Sequence, residues 1–227
     1  MSFVIAPPKQ AALPVVGSSD LFPIHRIYCV GRNYAEHARE MGHDPNKEPP
    51  FFFQKNPDNV LTTGEFPYPP ASKDVHFELE LVVALKSGGV DIAAAKALDC
   101  VYGYAVGIDF TRRDLQGEAK KLGRPWEVGK AFEHSAPMTA IVPAAKCGHP
   151  ASGAIRLEVN GVVKQDGDLA QMIWNVPDTI AYLSTLFRLA PGDLIMTGTP
   201  AGVGAVKKGD RLVGHVAGVA DLDVKVV

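Results

Sequence analysis

Glu78, Glu80 and Asp109 are the residues of this chain whose types and spacing most directly suggest chemistry. Side chains two apart on a strand point the same way, so Glu78 and Glu80 share a face. Both precede the apolar run Leu81–Leu85, where a lone carboxylate is costly to bury. Two like charges there need a cation, a shared proton or an arginine clamp. Asp109 ends another uncharged run, Tyr102–Ile108. Three carboxylates without a cysteine suit a hard ion, Mg²⁺ or Mn²⁺, with Ca²⁺ as a further option. A solvated sheet face is the alternative for the glutamates.

His37 and Glu40 lie three apart on an expected short helix, so the carboxylate can orient and polarise the imidazole. Such a pair can take a proton from water at neutral pH, or can be an exposed surface pair. Arg32 and Asn33 precede it and add anion-binding capacity, and Asn33 also suits a helix cap. Lys130, between Gly129 and Ala131, fits an oxyanion stabiliser and equally a surface lysine. Thr197–Gly204 is glycine-rich but lacks the closing Gly-Lys-Ser/Thr of a phosphate loop, which argues against nucleotide binding. Its turn would let the Thr199 hydroxyl approach a ligand. His25, His43, His134 and His149 have no partner at useful spacing.

The elements that must position these groups are short. The sequence has 227 residues, 46% of them hydrophobic, with 22 glycines and 18 prolines, which favours turns and strands over a helical bundle. Strands are expected at Ile27–Val30, within Phe51–Phe53, and at Val75–Leu85, Val101–Ile108, Leu194–Thr197, Arg211–Val216 and Leu222–Val227. Asn160-Gly161 marks a two-residue type I′ hairpin inside 156–164. A helix after Thr111 has capping-box spacing, an apolar face of Leu115, Ala119 and Leu122, and Gly123 as its stop. A second helix runs from Pro177 to Leu189 with Ile180, Leu183 and Phe187 on one side. Residues 1–25 read as an N-terminal arm and 26–227 as one strand-dominated α+β domain.

Composition excludes several function classes. With 23 Lys+Arg against 25 Asp+Glu, the net charge of −2 gives no general attraction to nucleic acid or anionic lipid. The 3 cysteines form no CxxC pair and do not suit a disulfide framework. No leader or membrane-spanning run is evident, so a cytoplasmic location is expected.

Five stretches, in order, resemble the fumarylacetoacetate hydrolase family: YCVGRNYAEHAREM (28–41), HFELEL (76–81), GYAVGIDFTRRDLQGEAKK (103–121), GRPWEVGKAF (123–132) and GDLIMTGTPAGVG (192–204). The likeness runs from about Ile27 to Val227, and PPFFFQKNPDNV and GHPASG are most similar to members that cleave fumarylpyruvate in gentisate breakdown. The resemblance implies a mixed β-sheet roll, a homodimer, and a divalent metal held by Glu78, Glu80 and Asp109. It implies a water-activating His37–Glu40 dyad and substrate or oxyanion contacts from Lys130, Gln116 and Thr199, with Arg32 and Arg113 on carboxylates. Phe77 departs from the family's frequent second histidine, but alternation points it away from the metal face. The implied reaction is hydrolysis of a carbon–carbon bond in a dicarboxylic β-diketo acid, giving fumarate and pyruvate. Acylpyruvate hydrolysis, oxaloacetate decarboxylation and hydroxymuconate-type isomerisation or decarboxylation are alternatives within the family. A non-catalytic binding protein is the alternative outside it.

Overall fold

The computed structural model describes residues 2–36 and 49–227. Two sheets face each other across the main core. The first has six strands, ordered Val142–Pro143, Val101–Ile108, Leu79–Leu85, Leu194–Met196, Ile27–Gly31 and Phe51–Lys55. It is mixed: Leu194–Met196 runs parallel to Ile27–Gly31 and antiparallel to Leu79–Leu85. The second has five strands, ordered Val162–Asp168, Ala154–Val159, Arg211–Val216, Ala220–Val226 and Glu65–Phe66. No helix among the described residues is long and apolar enough to cross a membrane.

The unbroken apolar run is explained by where its strand lies. Every residue of Leu79–Leu85 is buried. Leu79, Leu81, Val83 and Leu85 face the larger core with Ile155, Leu157, Leu212 and Val224 from the opposing sheet. Val82 and Ala84 face a smaller core on the other side, with Leu13, Phe22, Ile27, Cys29 and Met196. Strands covered on both faces carry apolar residues without alternation. The expected N-terminal arm supplies part of that cover: Ala12–Pro14 pairs antiparallel with Leu21–Pro23 and buries Leu13, Val15, Phe22 and Ile24.

The stretch expected as one strand over 75–85 is two. Val75–Phe77 pairs with Thr111–Arg112 and Gly204–Ala205, whereas Leu79–Leu85 joins the six-stranded sheet, and Glu78 sits at the break. The partners of each half come from distant sequence, which local alternation does not encode. The Asn160-Gly161 turn has positive φ at both residues (52° and 78°), as a type I′ turn requires.

The helix after Thr111 spans Arg113–Lys121 and stops at Gly123, whose φ is +62°. Thr111 does not cap it. Its hydroxyl accepts from Lys130 Nζ at 2.6 Å, and Arg112 is the capping position without a side-chain bond. Ala119 is buried as expected, whereas Leu122 is half exposed, and the helix's other buried residue is the polar Gln116. The second helix spans Val176–Leu186, with the Asn175 side chain accepting from the Asp178 backbone N–H.

Candidate active site

Sheet register brings the carboxylates together. Leu79 pairs with Ile108, so Glu78 lies beside Asp109, and the Asp109 N–H donates to the Glu78 carbonyl at 2.8 Å. Glu80 is one pleat repeat further along the same face. One carboxylate oxygen from each of Glu78, Glu80 and Asp109 falls within 4.8 Å of the other two, and all three residues are buried. The solvated-face alternative is thereby excluded.

Three cations meet these three acids. Lys130 is buried too, with Nζ at 2.6 Å from Asp109 Oδ2 and 2.8 Å from Glu78 Oε2, so it is not a surface lysine. Arg113 Nη2 reaches Glu78 Oε1 at 2.5 Å, and Arg113 Nη1 donates to Gln116 Oε1 at 2.8 Å. Lys55 Nζ lies 2.8 Å from Asp109 Oδ1 and donates to Ser135 Oγ and to the Lys130 carbonyl. Glu80 accepts from the Gly198 N–H at 2.8 Å. That approach needs glycine: Gly198 has φ of +92°, and a Cβ there would sit 2.8 Å from the Asn33 Cβ.

Burial, then the charges of Asp109 and Glu78, push the Glu80 carboxyl well above the usual glutamate range. A carboxyl so placed takes up a proton or a cation. Burial alone would lower Lys130, but Asp109 and Glu78 together outweigh it and hold the ammonium above its ordinary value. The all-oxygen donor set, with a glutamate destabilised as an anion, fits a hard divalent ion.

A cleft opens over this floor, lined by Arg32, Phe51, Phe53, Arg113, Gln116, Lys120, Trp126, Lys130 and Thr199 along with Glu78 and Glu80. Thr199 is buried and its hydroxyl accepts from Gln165 Nε2 at 2.7 Å, which ties the glycine-rich turn to the five-stranded sheet. Arg32 has a positive φ of 58° and lays its guanidinium over the Phe51 ring, 5.1 Å from the centroid. Asn33 is not among the lining residues. It is buried, Nδ2 donates to the carbonyls of Trp174 and Thr197, and Oδ1 accepts from the Trp174 N–H. Asn33 thus ties the Arg32 segment to the Trp174 and Thr197 backbone. His37, Glu40 and the expected helix past residue 36 lie outside the described residues.

Two site cations escape the sequence reading, and both carry a periodic signal. Lys55 alternates with Phe53 and Phe51, which line the cleft, and Lys120 is seven residues from Arg113 and four from Gln116.

The profile described as "Fumarylacetoacetate (FAA) hydrolase C-terminal" matches residues 26–227. This chain belongs to the fumarylacetoacetate hydrolase family. Among similar family members is the fumarylpyruvate hydrolase of a Ralstonia species, 45% identical over 184 residues that cover 81% of this chain and 95% of that one. The mitochondrial oxaloacetate tautomerase FAHD1 of Rattus norvegicus is 40% identical across 88% of this chain and 90% of its own. The crystal structure of fumarylpyruvate hydrolase from Pseudomonas aeruginosa, in complex with Mn²⁺ and pyruvate, superposes with a TM-score of 0.98 at 50% identity, covering 100% of this chain and 99% of that one. The mixed-sheet roll expected of the family is the fold observed.

Proposed function

We propose that this chain is a divalent-metal-dependent hydrolase that cleaves the carbon–carbon bond of fumarylpyruvate, yielding fumarate and pyruvate. The observation that carries this reading is the charge balance of the cleft floor. Three buried carboxylates face three cations, so a bound divalent ion would leave the floor two charges positive, matched to a dianionic diketo acid.

Glu78, Glu80 and Asp109 would hold Mg²⁺ or Mn²⁺. The ion, when bound, polarises the pyruvyl oxygens and carries the charge of a departing enolate. The protein's residues do the rest. His37, oriented by Glu40, takes a proton from water so that the oxygen attacks the distal acyl carbonyl; this role rests on the family resemblance. Lys130, held in its charged form with its three N–H groups on Asp109, Glu78 and Thr111, sets a fixed positive charge beside the oxyanion that develops. Arg113 and Gln116 act as a bonded pair that presents N–H groups to the substrate, and the Thr199 hydroxyl adds a further contact. The pyruvate enolate takes a proton before release. The same resemblance supports a cytoplasmic homodimer acting in gentisate breakdown.

The test is the ultraviolet decay of fumarylpyruvate, after EDTA treatment and again after adding Mn²⁺ or Mg²⁺. Metal-restored decay with equimolar fumarate and pyruvate supports the reading. Silence on fumarylpyruvate with turnover of oxaloacetate would replace it by the second reading, favoured by the tautomerase relatives.

A further inference from the structure

The Arg113–Lys121 helix turns Arg113, Gln116 and Lys120 toward the cleft, at spacings of three and four residues that place them on one face. Arg113 and Gln116 are bonded to each other, and Arg113 to Glu78. Lys120 is different. It is half-buried, it lines the cleft, and no carboxylate among the described residues lies within ion-pairing distance of it. Its ammonium stands 4.9 Å from the centroid of the Trp126 ring. Trp126 meets Phe51 edge to face at 5.3 Å, and Phe51 in turn underlies the Arg32 guanidinium. One wall of the cleft is thus an aromatic pair with a cation at each end.

A lysine in the last turn of a helix is often there for the helix dipole, and Lys121, which is exposed, meets that need. Lys120 instead sits where burial and then the charges of Arg113 and Arg32 disfavour its ammonium, lowering it to about 8. Such a placement costs stability unless an anion arrives to offset it.

We infer that Lys120, seated on Trp126, binds the substrate carboxylate remote from the acidic triad and so selects dicarboxylic over monocarboxylic 2-oxo acids. This rests on the reading above, in which the pyruvyl end lies at the triad. The carboxylate gains a charge-assisted hydrogen bond inside a cleft partly shielded from water, where such bonds are stronger than at a surface.

The experiment compares the full chain, Lys120→Met and Lys120→Arg, all loaded with Mn²⁺. One arm measures kcat/KM on fumarylpyruvate and acetylpyruvate. A second titrates 2-oxoheptanedioate and 2-oxoheptanoate calorimetrically; these acids match in length, differ in the distal carboxylate and carry no cleavable diketone. The expected result is a wild-type preference for the diacid of about tenfold or more, lost in Lys120→Met mainly through KM and Kd, and largely restored in Lys120→Arg. Absence of a wild-type preference in the binding arm overturns the inference. So do equal losses on both acids, which would make Lys120 a support for the wall. Failure of the proposed reaction reads differently: no turnover of fumarylpyruvate, with the diacid preference in binding intact.

Discussion

Lys130 Nζ and Asp109 Oδ2 stand 2.6 Å apart with both side chains buried, so a full ion pair lies beneath the cleft rather than at its mouth. Breaking such a pair from one side leaves the other charge uncompensated. Lys130→Met is expected to cost about 3–5 kcal/mol of stability by this mechanism. It should also lower kcat by about a hundredfold, the usual loss when a group that stabilises an oxyanion is removed. Thermal melts with and without Mn²⁺ check the first effect, because a bound cation would return part of the lost stability. An unchanged kcat in a folded Lys130→Met protein would remove Lys130 from the chemistry.

Lys55 makes a separate prediction. Its ammonium is the second cation on Asp109, and it also bonds Ser135 and the carbonyls of Phe110 and Lys130. Lys55→Met should destabilise the protein by about 3–5 kcal/mol as well. Since both lysines serve one carboxylate, the double variant should cost less than the sum of the two, which a double-mutant cycle reads directly.

Glu80 predicts how pH acts on the metal-free protein. An unfolded chain ionises this residue near 4.5, whereas the folded value is well above that. Between those values the folded state binds more protons, so this contribution to stability falls as pH rises. The ionised carboxylate is the form that ligates a metal, so Mn²⁺ binding should strengthen over the same range. Melting curves recorded across pH should therefore show a Mn²⁺-induced gain in Tm that grows with pH. A gain that shrinks with pH would contradict the assignment of Glu80 as a ligand.

Asn33→Ala removes three hydrogen bonds to backbone groups of Trp174 and Thr197. A loss of about 3 kcal/mol is expected at roughly one per bond, measured by denaturant unfolding. A stable variant with a raised KM would return Asn33 to the substrate-binding role that its position beside Arg32 suggests.

The carboxylate triad is legible in the sequence because two signals coincide: period-two spacing at Glu78 and Glu80, and charge beside runs that must be buried. The strands at Ile27–Gly31, Val101–Ile108 and Arg211–Val216 follow from apolar patterning, and the Asn160-Gly161 hairpin from turn chemistry. What is not legible depends on partners far along the chain. The break at Glu78 reflects which strands each half pairs with. Thr111 carries a capping pattern, yet its hydroxyl is taken by Lys130 from 19 residues away. Lys55 lies two residues past Phe53 and Lys120 near a helix end, settings in which solvated lysines are common, so their periodic signal shows its meaning only once the fold turns those faces inward.

The Leu79–Leu85 strand is covered on both faces while Glu80, near its start, stands in the triad. Its amides should be among the slowest in the molecule to exchange with deuterated water, so the strand that carries the carboxylates barely breathes. A substitution along it disturbs folding and chemistry together, which leaves little freedom for change there. New substrate preferences are more readily reached through Arg32, Phe51, Trp126 and Lys120, whose side chains line the cleft without filling either core. In this architecture one rigid floor can serve acids of different length and charge, with the choice among them made by a few replaceable side chains above it.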